Sequence, residues 1–259
     1  MSDVVMAEIR KDYLYHLVLK GERADGRAFD EYRDINLETG PIRKADGSAL
    51  VRLGKTQVMV GVKIQPGEPF SDTPNKGVII TNAELVPLAS PNFEPGPPNE
   101  VGIELARVVD RGVRESGAID LEALCIAPGE KVWIVFIDVH ILDDCGNLMD
   151  ASSLGAIAAL MTAKVPAAQY NLGEDYPLPV KDIPVATTAV EFGDATIFDP
   201  DTDEESVADT KLTVITTADG SVCGMQKSGP GFLSQDHIYR IVDIACERAR
   251  EIREKFLEV

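Results

Sequence analysis

Apolar and polar positions alternate differently along this chain, and the changes of period mark its elements. Val5 to Lys20 carries apolar residues at 6, 9, 13, 14, 17 and 18. That spacing predicts a helix, with Gly21 as its natural stop. A polar turn, R-A-D-G-R (23–27), follows. Arg33 to Glu38 alternates as a strand does. Ser48 to Leu53 and Thr56 to Ile64 predict a hairpin across Gly54-Lys55, and Val78 to Val86 a further extended segment. Pro87 to Pro98 holds five prolines and is predicted as loop.

The period then shifts to that of a helix over Glu100 to Gly117. Lys131 to Leu142 is β-branched and aromatic with too little polarity for a water-facing side, which predicts a central strand. Asp143 to Asn147 is predicted as a turn. Asp150 to Val165 is a helix of small residues suited to close packing, with Asp150 or Ser152 as its cap. A proline-bearing linker, Pro166 to Pro184, leads to short strands at 185–191, 194–198, 207–217 and 221–227. A long amphipathic helix from Ser234 to about Glu258 closes the sequence. Strands, helix, strand, helix, strands, helix is the order of an α+β fold with mixed sheets, and two similar halves are expected without a fixed-period repeat.

Composition narrows the function classes. The 259 residues are 44% hydrophobic and 26% charged, enough for a real core. No apolar run is long enough to span a membrane, and the charged first 20 residues fit no signal-peptide core, so an intracellular protein is expected. The four cysteines contain no C-x-x-C pair and predict buried free thiols. The three histidines are far apart, so a histidine site requires that the fold gather them. The net charge is −18, which argues against a free-standing, non-specific nucleic-acid binder. Any contact with RNA must run through a local patch.

Three constellations could carry chemistry. On the 100–117 helix, Arg107, Arg111 and Arg114 fall within an arc of roughly 60°, with Leu105, Val108, Val109 and Val113 on the other side. They form either an anion clamp for phosphates or a solvated stripe answered by Glu104 and Asp110. Second, Asp182 to Thr210 lacks Lys and Arg, while Asp199, Asp201, Asp203, Glu204, Glu205 and Asp209 crowd one stretch. Its spacing fails the calcium-loop pattern at the sixth and twelfth positions, and a solvated acidic loop is favoured over a Mg²⁺ site. Third, S-G-P-G (228–231) could cradle a phosphate, but Pro230 lacks an N–H, and turn punctuation is the better reading.

In order along the chain, G-E-R-A-D-G-R (21–27), T-Q-V-M-V-G-V (56–62), E-L-A-R-V-V-D-R-G-V-R (104–114), W-I-V-F-I-D-V-H-I-L-D (133–143) with G-N-L-M-D-A (146–151), and D-P-D-T-D-E-E-S (199–206) resemble the RNase PH family. Within it, the chain looks most like the non-catalytic ring subunit of the archaeal exosome. The resemblance implies a ribosomal protein S5 domain 2-like fold in two pseudo-symmetric halves, 1–165 and 166–259. It also implies a cytoplasmic hexameric ring, a trimer of heterodimers with a catalytic sister subunit. The sister degrades single-stranded RNA from the 3′ end with inorganic phosphate, and RNA-binding cap subunits complete the assembly. No cofactor or metal is implied for this chain.

Departures from the catalytic pattern matter. Ser90 to Val101 has no Lys or Arg where catalytic members carry RNA-gripping basic residues. Gly229-Pro230 stands where they carry a phosphate-binding Gly-Ser turn. Their acidic position looks retained as Asp209. The expectation is a silent subunit whose Arg107 and Arg111 bind RNA, with Arg114 on the same face serving either RNA or structure. The alternative is a phosphate-dependent exoribonuclease using Asp209.

Overall fold

The computed structural model describes residues 12–193 and 195–257. Residues 12–18 are helical (α1); the outer positions of that predicted helix, Met6 and Ile9, lie outside the described residues, as do Asp194 of the predicted 194–198 strand and Glu258. The strands are β1 (Ile35–Thr39), β2 (Gly47–Leu53), β3 (Thr56–Gly67), β4 (Val78–Leu85), β5 (Cys125–Ala127), β6 (Lys131–Asp143), β7 (Lys164–Val165), β8 (Tyr176–Pro177), β9 (Val185–Phe192), β10 (Ala195–Phe198), β11 (Thr210–Thr216) and β12 (Val222–Ser228). The remaining helices are α2 (Glu100–Glu115), α3 (Leu148–Thr162), α4 (Thr202–Val207) and α5 (Gln235–Phe256).

The first sheet runs β1-β2-β3-β6-β4, with β5 also on β6; only the β4–β6 pairing is parallel. The second runs β10-β9-β11-β12, all antiparallel. Helices α2 and α3 pack against each other and lie between the sheets: α3 touches β2 and β3 on one side and β9 on the other, and α2 touches β4 and β12. Helix α5 covers the far side of β9 and β11. A helix buried on both sides cannot be amphipathic, which is why α3 is built of Ala, Gly, Ser and Leu with eleven of its residues buried. For the same reason every residue of β9 is buried. One large apolar cluster runs from β2, β3 and β6 through α2 and α3 to Val185, Ile215 and Ile252. Leu14 and Val18 of α1 pack instead with Val190, Phe192, Ile197 and Val207 of the second sheet and its surroundings.

Several expectations need correction. Strand β6 is central, but it is not buried on both faces. Its residues alternate between buried and half-buried, with Ile134, Phe136, Asp138 and His140 on the latter face, because the helical layer covers one side of the first sheet only. Helix α3 is capped by Asn147, whose side chain accepts from the Asp150 amide at 3.4 Å, and not by Asp150 or Ser152. It ends at Thr162, where the chain turns into β7. The 166–184 linker contains β8 and a 3₁₀ turn. Residues 202–207 form helix α4 with an Asp201–Glu204 capping box, so the strand predicted from 207 begins only at Thr210. The cysteines are free but half-buried rather than buried.

The acidic 199–206 stretch is the largest correction. It is not a solvated loop. Asp199 and Glu204 are 0% and 2% exposed, and each is answered by arginines from the segment after α1. Arg23 grips Glu204 through Nε at 2.9 Å and Nη2 at 2.7 Å. Arg33 donates to Asp199 at 2.8 and 2.7 Å, and Arg27 to the same carboxylate at 2.9 Å. Asn147 Nδ2 joins Asp199 at 2.8 Å and Asp150 at 2.8 Å. Asp150 also accepts from Tyr32 at 2.7 Å and from Thr188 Oγ1 at 2.6 Å. Gly146, at φ 88°, lets this turn approach: a Cβ there would lie 2.5 Å from the Asp201 carbonyl carbon.

Burial alone would raise the Asp199 carboxyl, but the Arg33 guanidinium and Asn147 overcome it and hold the group below its ordinary value. Burial dominates at Asp150 and pushes it up to about 6 against the hydrogen bonds of Thr188, Asn147 and Tyr32. The two therefore oppose each other with pH. The Asp199 contribution is present above its unfolded value of 3.8 and is lost as pH falls through the lower folded value. The Asp150 contribution is full below 3.8 and is lost as pH rises through about 6. Asp199→Ala leaves two guanidiniums with an uncompensated buried end and is expected to cost about 3–5 kcal/mol, a fall in Tm of about 10 °C by calorimetry. In denaturant titrations from pH 7 to 3, the deficit of Asp199→Asn relative to wild type is expected to shrink below pH 4.

Candidate nucleic-acid interface

Helix α2 begins at Asn99, whose side chain accepts from the Gly102 amide at 3.0 Å. Its buried side holds Gly102, Leu105, Ala106, Val108, Val109, Gly112 and Val113. Gly102 permits the close seat on β4, since a Cβ there would meet Leu85 Cδ1 at 2.7 Å. The opposite face must then carry Arg107, Arg111 and Arg114, and all three are exposed. They lie between two free sheet edges, because β4 ends the first sheet and β12 ends the second. Arg107, Arg111 and Arg114 line an open groove of about 350 Å³ with Ile79, Ile80 and Thr81 of β4 and with the carboxylates of Asp110 and Glu115.

The three arginines differ in what holds them. Arg114 pairs with Asp110 at 3.0 Å and donates to the Ile79 carbonyl at 3.1 Å, tying α2 to the β4 edge. Asp110 also accepts from Thr81 at 3.2 Å. Arg111 makes only two long bonds, at 3.4 Å, to the Met225 carbonyl and to Gln226 Oε1. Arg107 has no hydrogen-bond or ion-pair partner among the described residues. Glu104 does not answer the stripe: it accepts from Gln226 Nε2 at 2.8 Å and from Ser228 Oγ at 2.7 Å. A stripe satisfied by Glu104 and Asp110 thus holds for Arg114 alone. Arg107 and Arg111, at i and i+4, make no ion pair among the described residues, although Asp110 and Glu115 line the same groove, and two unpaired like charges so placed suit a polyanion.

Asp209 sits elsewhere. Its carboxylate accepts from the Tyr15 hydroxyl at 2.6 Å and the Gly193 amide at 2.9 Å, and none of the three arginines bonds to it. Burial first, then Asp209, pushes the Tyr15 phenol up to about 12, so Tyr15 stays a donor to that carboxylate. The 228–231 turn folds back on the same residue: the Gly231 amide bonds the Asp209 carbonyl at 2.9 Å. Of the turn's donors, the Ser228 hydroxyl is taken by Glu104. The loop 90–101 brings Glu94 and Glu100, and no cation, toward the start of α2. His140 pairs with Glu84 and His237 with Glu191, on different elements. Among the described residues no three His, Cys, Asp or Glu side chains are grouped to hold a metal ion. No helix there is long and apolar enough to cross a membrane.

Comparison with known proteins gives this geometry its context. The profile of the 3′ exoribonuclease family, RNase PH, matches residues 31–166 with its domain 1 and 182–248 with its domain 2. The chain belongs to the RNase PH family. Among RNase PH relatives, the exosome complex component Rrp42 of Methanocella arvoryzae is 64% identical over 98% of both chains. That of Archaeoglobus fulgidus is 56% identical over the full length of both. A chain from the structure described as the Archaeoglobus fulgidus exosome with RNA bound to the active site superimposes with a TM-score of 0.95 at 57% identity, covering 97% of this chain and 99% of that one. Rice Rrp46, at 19% identity and a TM-score of 0.69 over 91% of this chain and all of that one, shares the fold. The RNase PH fold expected from the sequence is thus the observed one.

The unequal bonding of the arginines has a measurable consequence. Arg107→Ala removes no partner and is expected to leave Tm within about 2 °C of wild type. Arg114→Ala releases α2 from the β4 edge and is expected to lower Tm by about 2–4 °C, roughly 1 kcal/mol after allowance for solvent screening. Differential scanning calorimetry of the two variants measures both.

Proposed function

We propose that this chain is the non-catalytic RNase PH-type subunit of an exosome ring, in which it orders a catalytic sister subunit and holds RNA through Arg107 and Arg111. The observation that carries the reading is the exposed Arg107–Arg111 pair, which makes no ion pair among the described residues, on a helix between the edge strands β4 and β12, in a chain closely similar to exosome Rrp42 components. Unpaired sheet edges are a liability that a ring removes by pairing or covering them. The net charge of −18 fits the same reading, because a single basic stripe at a subunit boundary is completed by a partner. The ring is a hexamer of three such pairs, topped by RNA-binding cap subunits and working on single-stranded RNA in the cytoplasm.

Catalytic silence follows from electrostatics. Phosphorolysis needs inorganic phosphate held as a nucleophile against the RNA polyanion, and that takes preorganised donors and cations at one point. Here Pro230 supplies no N–H, Ser228 is engaged by Glu104, and the acidic candidate Asp209 accepts from Tyr15 and the Gly193 amide and makes no bond to the three arginines. The phosphate used in the reaction belongs to the sister's site. Arg114, fixed by Asp110 and Ile79, positions the helix instead of gripping RNA.

The deciding experiment follows RNA degradation with and without inorganic phosphate, first by this chain alone and then mixed with a catalytic sister. Activity is expected only in the mixture and only with phosphate. Degradation by the chain alone would overturn the reading and make Asp209 the residue to mutate. In the assembled ring, Arg107→Ala/Arg111→Ala is expected to weaken single-stranded RNA binding about tenfold or more. It should reduce the slope of log affinity against log salt by about 1.4 while leaving assembly intact. Filter binding at several salt concentrations, with size-exclusion chromatography as the assembly control, reads both.

A further inference from the structure

Glu104 shares a face of α2 with Arg107, one turn on, and Arg111, two turns on, yet it pairs with neither. Its Oε1 instead takes two neutral donors of β12, Gln226 Nε2 at 2.8 Å and Ser228 Oγ at 2.7 Å. Gln226 is oriented by the charges on either side of it, with its amide nitrogen toward Glu104 and its oxygen toward Arg111 Nη1 at 3.4 Å. A hydroxyl, an amide N–H and the Arg111 guanidinium beside them are donors of the kind that bind a phosphate oxyanion, with Arg107 one turn away on the same helix face. The anion that occupies the two β12 donors is part of the chain.

We propose that Glu104 is a specificity-determining residue: its carboxylate is an internal anion that keeps free inorganic phosphate out of this subunit, so that Arg107 and Arg111 meet only the phosphates of an RNA backbone. The RNA half of this statement rests on the function proposed above; the phosphate half rests on the Glu104 geometry alone. Two features make the exclusion effective. The donors are already satisfied, so an incoming phosphate gains nothing from them without displacing a tethered acceptor. A like charge roughly 4 Å from a bound anion also lowers its affinity about fivefold even in a water-like medium, and more beside a half-buried wall. Glu104 does not line the open groove on the β4 side, where Arg107 and Arg111 lie with the Arg114-paired Asp110 and with Glu115, so an RNA strand entering there does not meet the Glu104 carboxylate.

The test titrates inorganic phosphate into the full-length chain, followed by ³¹P line broadening, for wild type, Glu104→Ala, Glu104→Gln and Glu104→Ala/Arg111→Ala. Wild type is expected to show no saturable binding below about 50 mM. Glu104→Ala should gain saturable binding at least about tenfold tighter, and the added Arg111→Ala should abolish it. Glu104→Gln keeps an acceptor for both β12 donors without the charge and should show a smaller, severalfold gain. A Glu104→Ala chain as blind to phosphate as wild type, a gain indifferent to Arg111, or saturable binding by wild type would each overturn the proposal. Circular dichroism checks the fold; if Glu104→Ala unfolds, Glu104→Gln carries the test, and unfolding of both would make Glu104 structural and refute the proposal. Unchanged RNA binding by Arg107→Ala/Arg111→Ala would refute the RNA function without touching the phosphate result.

Discussion

A buried carboxylate must be paired, and in this molecule the need to pair Asp199 organises the rest. The residue sits fully buried at φ 47°, a backbone conformation that few residues other than Asn, Asp and Gly tolerate. Its carboxylate collects Arg27 and Arg33 from the segment after α1 and Asn147 from the start of α3. Asn147 passes the connection to Asp150, and Asp150 passes it to Tyr32 and to Thr188 of β9. Four stretches far apart in sequence are thereby fixed at one point. Removing any one partner leaves charge or donors stranded in low dielectric, so the arrangement is all or nothing.

That junction sets the layer order. It fixes the N-terminus of α3 against β9, so α3 is held between the sheets and can be built only from small and apolar residues. With α3 in place, α2 lies beside it and presents its remaining face outward between the free edges of β4 and β12. The arginine stripe is exposed because every other side of α2 is occupied. Within the stripe the tertiary neighbours divide the work. Asp110 and the Ile79 carbonyl hold Arg114, while Glu104 is drawn away by β12 and leaves Arg107 and Arg111 available to an outside anion.

The boundaries that periodicity predicted best are those whose elements meet one environment. β3, β4, α2 and α5 each have a single apolar side, and their patterns marked them to within three residues, as the hairpin pattern did for β2. The misreadings share a cause. Asn147 caps α3 from an αL backbone, α4 is opened by a capping box, and two of the 199–206 acids, Asp199 and Glu204, are buried by arginines more than 165 residues away. An acidic run is ordinarily solvated, and nothing local distinguished this one. The R-A-D-G-R segment gave no hint either, because Glu22, Asp25, Asp30 and Glu31 stand beside its arginines as local counter-charges.

Local spacing determined that Arg107, Arg111 and Arg114 share a helix face, that this face is backed by an apolar one, and that an otherwise acidic chain carries this basic stripe. Those facts depend only on the helical repeat and on residue type. Which of the three arginines is free, where Glu104 spends its carboxylate, and that Asp209 faces Tyr15 rather than the stripe were decided by tertiary structure. A charged side chain's role is set by the counter-charges and donors within a few ångströms, and here those come from β4, β12 and α1, which no sequence spacing brings together.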